Sequence, residues 1–243
     1  MATLKPLFAF DLQHTPPHAL LVGIDEVGRG SLMGPVVAAA VCWPPNLQRH
    51  VLTTELSELN DSKQLRPAKR EQLAQTILNL AYVGFGEATA KEVDAMNVHH
   101  ASLLAGWRAL LALIKQLPPT TATTCETLCV LLDGRFSLIH GLGHPMVCSL
   151  QQELLAQSAP FCMPHHGAVI KGDAQSAVIA AASVVAKTKR DAWVRAQAED
   201  YPGYGWHRNA GYGTRAHWEG LKRYGSTPHH RQRFISPVKK EFP

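Results

Sequence analysis

Residues 19–30 read ALLVGIDEVGRG, a short apolar run that ends in two adjacent acids, Asp25 and Glu26, and then a Gly-Arg-Gly turn. Preceded by Pro16 and Pro17 and closed by glycine, the run is too short for a helix and reads as a buried strand. The next apolar run, VVAAAVCW at 36–43, follows Gly34-Pro35 and stops at Pro44 and Pro45. It reads as a second strand, forming a hairpin with the first. Two further acids stand in the same setting, Asp133 closing TLCVLLD and Asp173 closing GAVIKGD. Acids far apart in sequence, each at the end of an apolar run, are what a fold needs to assemble a metal site on a sheet. Hard divalent cations such as Mg²⁺ and Mn²⁺ take oxygen ligands, and phosphoryl transfer at two metals needs several carboxylates converging at one sheet end.

Outward from these runs, Pro67 to Leu80 has helical spacing, YVGFGEA at 82–88 reads as a strand, and helical periodicity resumes from Lys91 to about Leu117. Thr-rich residues 120–124 read as a loop, 149–157 as a short helix, and 175–199 as a long Ala-rich helix. Strands alternating with helices after an opening hairpin predict an α/β fold, a mixed central sheet flanked by helices. Three segments follow: an extended lead-in over 1–18, the α/β domain over 19–202, and a C-terminal helical region over 203–243 entered through YPGYGW.

The chain of 243 residues can bury a sizeable core, and its apolar stretches fall far below the roughly 18 residues that span a bilayer. No membrane partner and no secretory leader are expected, so the protein is expected in the cytosol. Five cysteines form an odd, scattered set without a CxxC pair, which argues against a disulfide framework or a zinc ribbon. Net charge is +5, but residues 203–243 alone carry +6 and the preceding 202 residues carry −1. In that tail Tyr204, Trp206, Tyr212, Trp218, Tyr224, Phe234 and Phe242 interleave with basic residues. Such a pattern suits a nucleic-acid backbone, or equally a solvated face over a small aromatic core.

Each acid also has a plainer reading. Asp25-Glu26 could form a turn or cap, Asp133-Gly134 a hairpin turn, and Asp173 a helix cap. Gly28, Gly30 and Gly34 are spaced somewhat like a dinucleotide loop, yet Pro35 leads into a strand where that fingerprint must open a helix. A Gly-Arg-Gly turn that admits close backbone approach to a ligand fits better. Ser183 and Lys187, four apart on one helix face, could both meet a phosphate, and Lys187 could equally pair with Asp191. The pairs His99-His100, His165-His166 and His229-His230 lack helical metal-ligand spacing.

Taken together, GIDEVGRG, GPVVAAAV, LNDSKQL, LLDG, VIKGD, AAASVVAKTKRD, YGW, GYGT and TPHHRQRF resemble ribonuclease HII, the bacterial type 2 ribonuclease H, in order and spacing across nearly the whole chain. The resemblance implies a ribonuclease H-like fold and a monomeric endonuclease acting on RNA/DNA hybrids and ribonucleotide-containing duplex DNA. It would cut 5′ of the ribonucleotide and leave 3′-hydroxyl and 5′-phosphate ends, as ribonucleotide and primer removal require. Asp25, Glu26, Asp133 and Asp173 would be the catalytic carboxylates and would bind Mn²⁺ or Mg²⁺. Gly28, Arg29 and Gly30 would contact the ribose 2′-hydroxyl, and Tyr212 would stack on the following deoxyribose. Lys63, Ser183 and Lys187 would hold flanking phosphates. Ser31 stands where the family usually has Pro, and Asn209-Ala210 where His-Lys is common, which removes one phosphate-binding lysine. A basic binding module without turnover, and a hybrid nuclease needing runs of RNA, are the competing readings.

Overall fold

The computed structural model describes residues 5–60, 62–118, 121, 127–138, 144–145, 148–149, 152 and 162–241, except the side chains of 49, 162–165 and 237–241. The first strand, β1 (Ala19–Val27), forms an antiparallel hairpin with β2 (Val36–Cys42), and β3 (Tyr82–Ala88) adds antiparallel to β2. On the other side of β1, β4 (Thr127–Asp133) and then β5 (Cys162–Val169) pair parallel, giving the order β3-β2-β1-β4-β5. Alternation assigns the two faces of this mixed sheet. Leu20, Val22 and Ile24 pack in one core layer with α5 (Val98–Ile114), while Leu21 packs on Val178 and Ile179 of the long helix α6 (Ala177–Asp200).

That long helix lies directly on β1 because residue 23 is glycine. A Cβ there would stand 2.4 Å from the Val178 carbonyl carbon, so any side chain would lift α6 off the strand. Ser176 caps α6 with its side chain. Asp11 extends the cap from outside, accepting from Ser176 Oγ at 2.6 Å and from Val178 N at 3.0 Å.

Asp11 belongs to α1 (Pro6–His14), so the lead-in expected to be extended is largely helical. Pro6 sits in the first turn, where a missing N–H costs nothing, and Pro16 and Pro17 fall beyond the last. Leu7 and Phe8 are buried beneath it. A short helix, α2 (Arg49–Thr54), went unread in the sequence, whereas α3 (Pro67–Leu80) has the expected bounds. The periodic stretch from Lys91 is two helices, α4 (Ala90–Met96) and α5. Asn97 separates them with φ of 72°, its side chain accepting from His99 N and His100 N to open α5. The Thr-rich loop and the helix expected at 149–157 lie mostly outside the described residues.

Past α6 come α7 (Trp206–Asn209), α8 (Arg215–Tyr224) and α9 (Gln232–Glu241). Their apolar side chains, with Tyr204 and Trp206 almost wholly buried, form a small core against Val194 of α6 and against Leu32 and Met33 of the loop after β1. Tyr204 and Trp206 therefore follow the aromatic-core reading, while Tyr212 and Tyr224 remain exposed.

Candidate active site

The parallel register pairs Ile24 with Leu132, so the next residues, Asp25 and Asp133, lie side by side on neighbouring strands. By alternation both point to the α6 face. Asp173 reaches the same face by a different route. β5 ends at Val169, Lys171 turns in the left-handed region with φ of 56°, and a 3-10 turn over Gly172–Ala174 carries Asp173 in at the head of α6. The expected strand end is thus replaced by a tight turn, which Asp133 Oδ1 fastens by accepting from Gly172 N at 2.7 Å.

One oxygen each from Asp25, Asp133 and Asp173 lies within 4.8 Å of the others. Asp25 and Asp173 are buried, and the Asp25 carboxyl is pushed well above the ordinary carboxylate range by its burial and then by the charges of Glu26 and Asp133. Lys63 Nζ stands 3.6 Å from Asp173 Oδ2. An oxygen-only donor set crowded with like charges fits a hard divalent cation, whose charge offsets the repulsion.

Glu26 is not part of this trio. Alternation turns it to the α5 face, where it borders His99, Ser102 and Leu103, and its Oε1 accepts from Arg29 Nη1 at 2.9 Å. Burial raises its carboxyl, opposed by the Arg29 charge.

Ser183 partly offsets the upward shift of the Asp25 carboxyl, and its Oγ lies 2.8 Å from Ser62 Oγ. Lys187, one turn on, donates to Asp191 Oδ1 at 2.7 Å and also lines the cleft. Arg70 of α3 completes the brace by donating to Ser62 O at 3.1 Å and to Asp191 Oδ2 at 3.3 Å. Asp25, Glu26, Val27, Ser62, Lys63, Ser183, Lys187 and Tyr212 line a single cleft of about 270 Å³. Tyr212 forms one wall, and Gly30 borders its ring, since a Cβ on Gly30 would stand 4.0 Å from Tyr212 Cε1.

A sequence pattern for ribonuclease HII matches residues 22–237. The chain belongs to the ribonuclease HII family. The ribonuclease HII of Magnetococcus marinus is 42% identical over 224 residues, 92% of this chain and 87% of that protein. Among solved structures, ribonuclease H2 from Pyrococcus horikoshii superposes with a TM-score of 0.62 at 22% identity, covering 92% of this chain and 98% of that one. Bst-RNase HIII in complex with Mn²⁺ gives 0.64 at 16% identity, covering 99% and 76%. The protein is accordingly a metal-dependent endonuclease of the ribonuclease H class, acting on nucleic acid. No helix among the described residues is long and apolar enough to cross a membrane.

Two residues to which the sequence reading gave no individual role brace the site from beneath. Arg190 is fully buried and donates to the carbonyls of Pro35, Met33 and Ala210. Arg231, equally buried, donates twice to Gly34 O and, at 2.8 Å, to Arg29 O. Neither forms an ion pair among the described residues, and burial lowers both, Arg231 to about 10. A buried guanidinium without partners costs several kcal/mol, so these carbonyl bonds are its compensation. They also tie the Gly-Arg-Gly turn to the Tyr212 loop. Gly28, with φ of 91°, is where a Cβ would strike Arg190 Nε at 2.2 Å.

The family departures have roles in the same junction. Ser31 Oγ lies 2.8 Å from Gly211 O and 2.9 Å from Met33 O. Asn209 accepts from Gly211 N and donates to Tyr204 O, shaping the loop that presents Tyr212.

Proposed function

We propose that this protein hydrolyses the phosphodiester on the 5′ side of a ribonucleotide, in RNA/DNA hybrids and at single ribonucleotides in duplex DNA, leaving 3′-hydroxyl and 5′-phosphate ends. The observation that carries the reading is the shared cleft, where Asp25, Lys63, Ser183 and Lys187 face the same space as Tyr212, itself set against Gly30. Asp25, Asp133 and Asp173, with Glu26 at their margin, would hold Mg²⁺ or Mn²⁺. Such an ion supplies charge stabilisation at the scissile phosphate and lowers the pKa of an attacking water.

The chain's own residues do the rest. Gly28, Arg29 and Gly30 present backbone to the ribose, whose 2′-hydroxyl separates RNA from DNA. Tyr212 offers its ring to the next deoxyribose, which lacks that hydroxyl. Lys63, Ser183 and Lys187 fix the flanking phosphates and so set register without reading bases. Residues 203–243 extend the basic surface available to the duplex.

The test is a labelled DNA duplex with one ribonucleotide, incubated with Mg²⁺, Mn²⁺ or chelator, and the cut mapped. A metal-dependent nick immediately 5′ of the ribonucleotide is expected. Cleavage confined to long RNA/DNA hybrids would overturn the junction reading, and a Tyr212→Ala variant should lose junction preference before it loses duplex affinity.

A further inference from the structure

Directly beneath Tyr212 lies a buried polar chain with one consistent arrangement of protons. Trp206, His217 and His230 are at most 2% exposed. The backbone N–H of Thr227 donates to His230 Nδ1 at 2.9 Å, so that nitrogen carries no proton and the ring's proton is on Nε2. His230 Nε2 lies 3.0 Å from His217 Nε2, which also accepts from Trp206 Nε1 at 2.9 Å. His217 Nε2 is therefore an acceptor, its proton sits on Nδ1, and Nδ1 donates to the Tyr212 carbonyl at 3.0 Å. The same carbonyl accepts from Thr214 N at 2.8 Å.

The chain thus begins in the backbone before α9, passes through two neutral imidazoles and ends on the backbone of the residue that forms the cleft wall. We infer that His217 and His230 are positioning residues for Tyr212, and so determine how strictly the enzyme favours a ribonucleotide-to-deoxyribonucleotide junction over a continuous hybrid. The inference rests on the role given to Tyr212 above. Neither histidine lines the cleft, so each acts only through that carbonyl. Tyr204 and Trp206 pack around both rings, which removes competing water from the chain. A hydrogen bond in such surroundings fixes its acceptor more firmly than one exchanged with solvent.

The geometry separates positioning from simple packing, because the donor must stand at the δ position. An asparagine at 217 places its amide N–H near the site of Nδ1, whereas a glutamine carries its amide further out, near Nε2. The experiment measures kcat/KM on a duplex with one ribonucleotide and on a uniform RNA/DNA hybrid, for wild type, His217→Ala, His217→Asn and His217→Gln. The ratio of the two values should fall about tenfold in the Ala and Gln variants, the scale of one lost oriented hydrogen bond, and return to within about threefold in the Asn variant. If His217→Ala does not fold, the comparison of Asn with Gln still decides, since both fill the site. Equal ratios in all folded variants, or an equal fall in Asn and Gln, would overturn the inference and leave the pair as core packing. A wild-type enzyme without junction preference would overturn the Tyr212 reading as well.

Discussion

Asp133 meets two opposed demands. Its Oδ1 accepts from Gly172 N and so fastens the turn that delivers Asp173, while its charge helps push the Asp25 carboxyl upward. Asparagine would keep the first role, since its amide oxygen still accepts, and remove the second. Asp133→Asn should therefore lower cleavage by about a thousandfold or more, the scale of losing a ligand of a catalytic ion, while duplex affinity stays within about threefold. It should also melt no lower than wild type without metal, because one of three crowded charges has gone. Added Mn²⁺ should raise the melting temperature of wild type, since ligands that bind only the folded state stabilise it, and do so far less in the variant. Undiminished cleavage by Asp133→Asn would remove that residue from the site.

Elements were legible where alternation or helical period was strong and illegible where a single backbone angle or a tertiary partner decided. The strands delivering Asp25 and Asp133 have unbroken apolar runs, and α3 is bounded by Pro67, so their type could be read directly. The break at Asn97 depends on a positive φ, and the turn carrying Asp173 depends on Lys171, neither of which hydrophobic pattern encodes. Arg190 and Arg231 had no legible role because nothing in the local sequence announces that carbonyls from distant loops will surround them. The His229-His230 pair was likewise opaque, because the role of His230 comes from α8.

Packing between elements also sets an acid response with two opposite contributions. His230 is held at about 4, below the ordinary 6.5, by burial and then by His217. Its contribution is complete above pH 6.5 and is lost as pH falls through 4. Asp11, capping α6 from α1, is raised from 3.8 to about 6 by burial, so its contribution is present below pH 3.8 and is lost as pH rises through 6. Each is on the order of 2 kcal/mol after allowance for solvent screening. Between pH 7 and 4, His230→Gln should therefore lose less stability than wild type, and Asp11→Asn should lose more. Denaturant titrations across that range check both signs, and parallel curves for all three proteins would refute them.

Across the whole molecule the net positive charge lies in residues 203–243, yet the number of cations there able to face a phosphate backbone is smaller than the sequence suggests. Arg231 is wholly buried and bonded to carbonyls, and Arg215 is paired with Glu219 at 2.7 Å. Lys63, although 3.6 Å from Asp173 Oδ2, keeps a side chain 77% exposed at the mouth of the cleft. Each phosphate neutralised by a protein cation releases about 0.9 condensed counterion from duplex DNA, so the logarithm of affinity falls with the logarithm of salt in proportion to the contacts made. Lys63→Ala should therefore lower affinity similarly for all duplex sequences and reduce the salt slope by about one. A folded Arg231→Met variant should leave the slope unchanged, because its charge never met the solvent from which those ions are released. Binding titrations in catalytically silent Asp133→Asn background, over a series of salt concentrations, measure both. A full slope in Lys63→Ala would place the duplex elsewhere on the surface, and a reduced slope in Arg231→Met would mean that the buried arginine acts on the phosphates through the loops it holds.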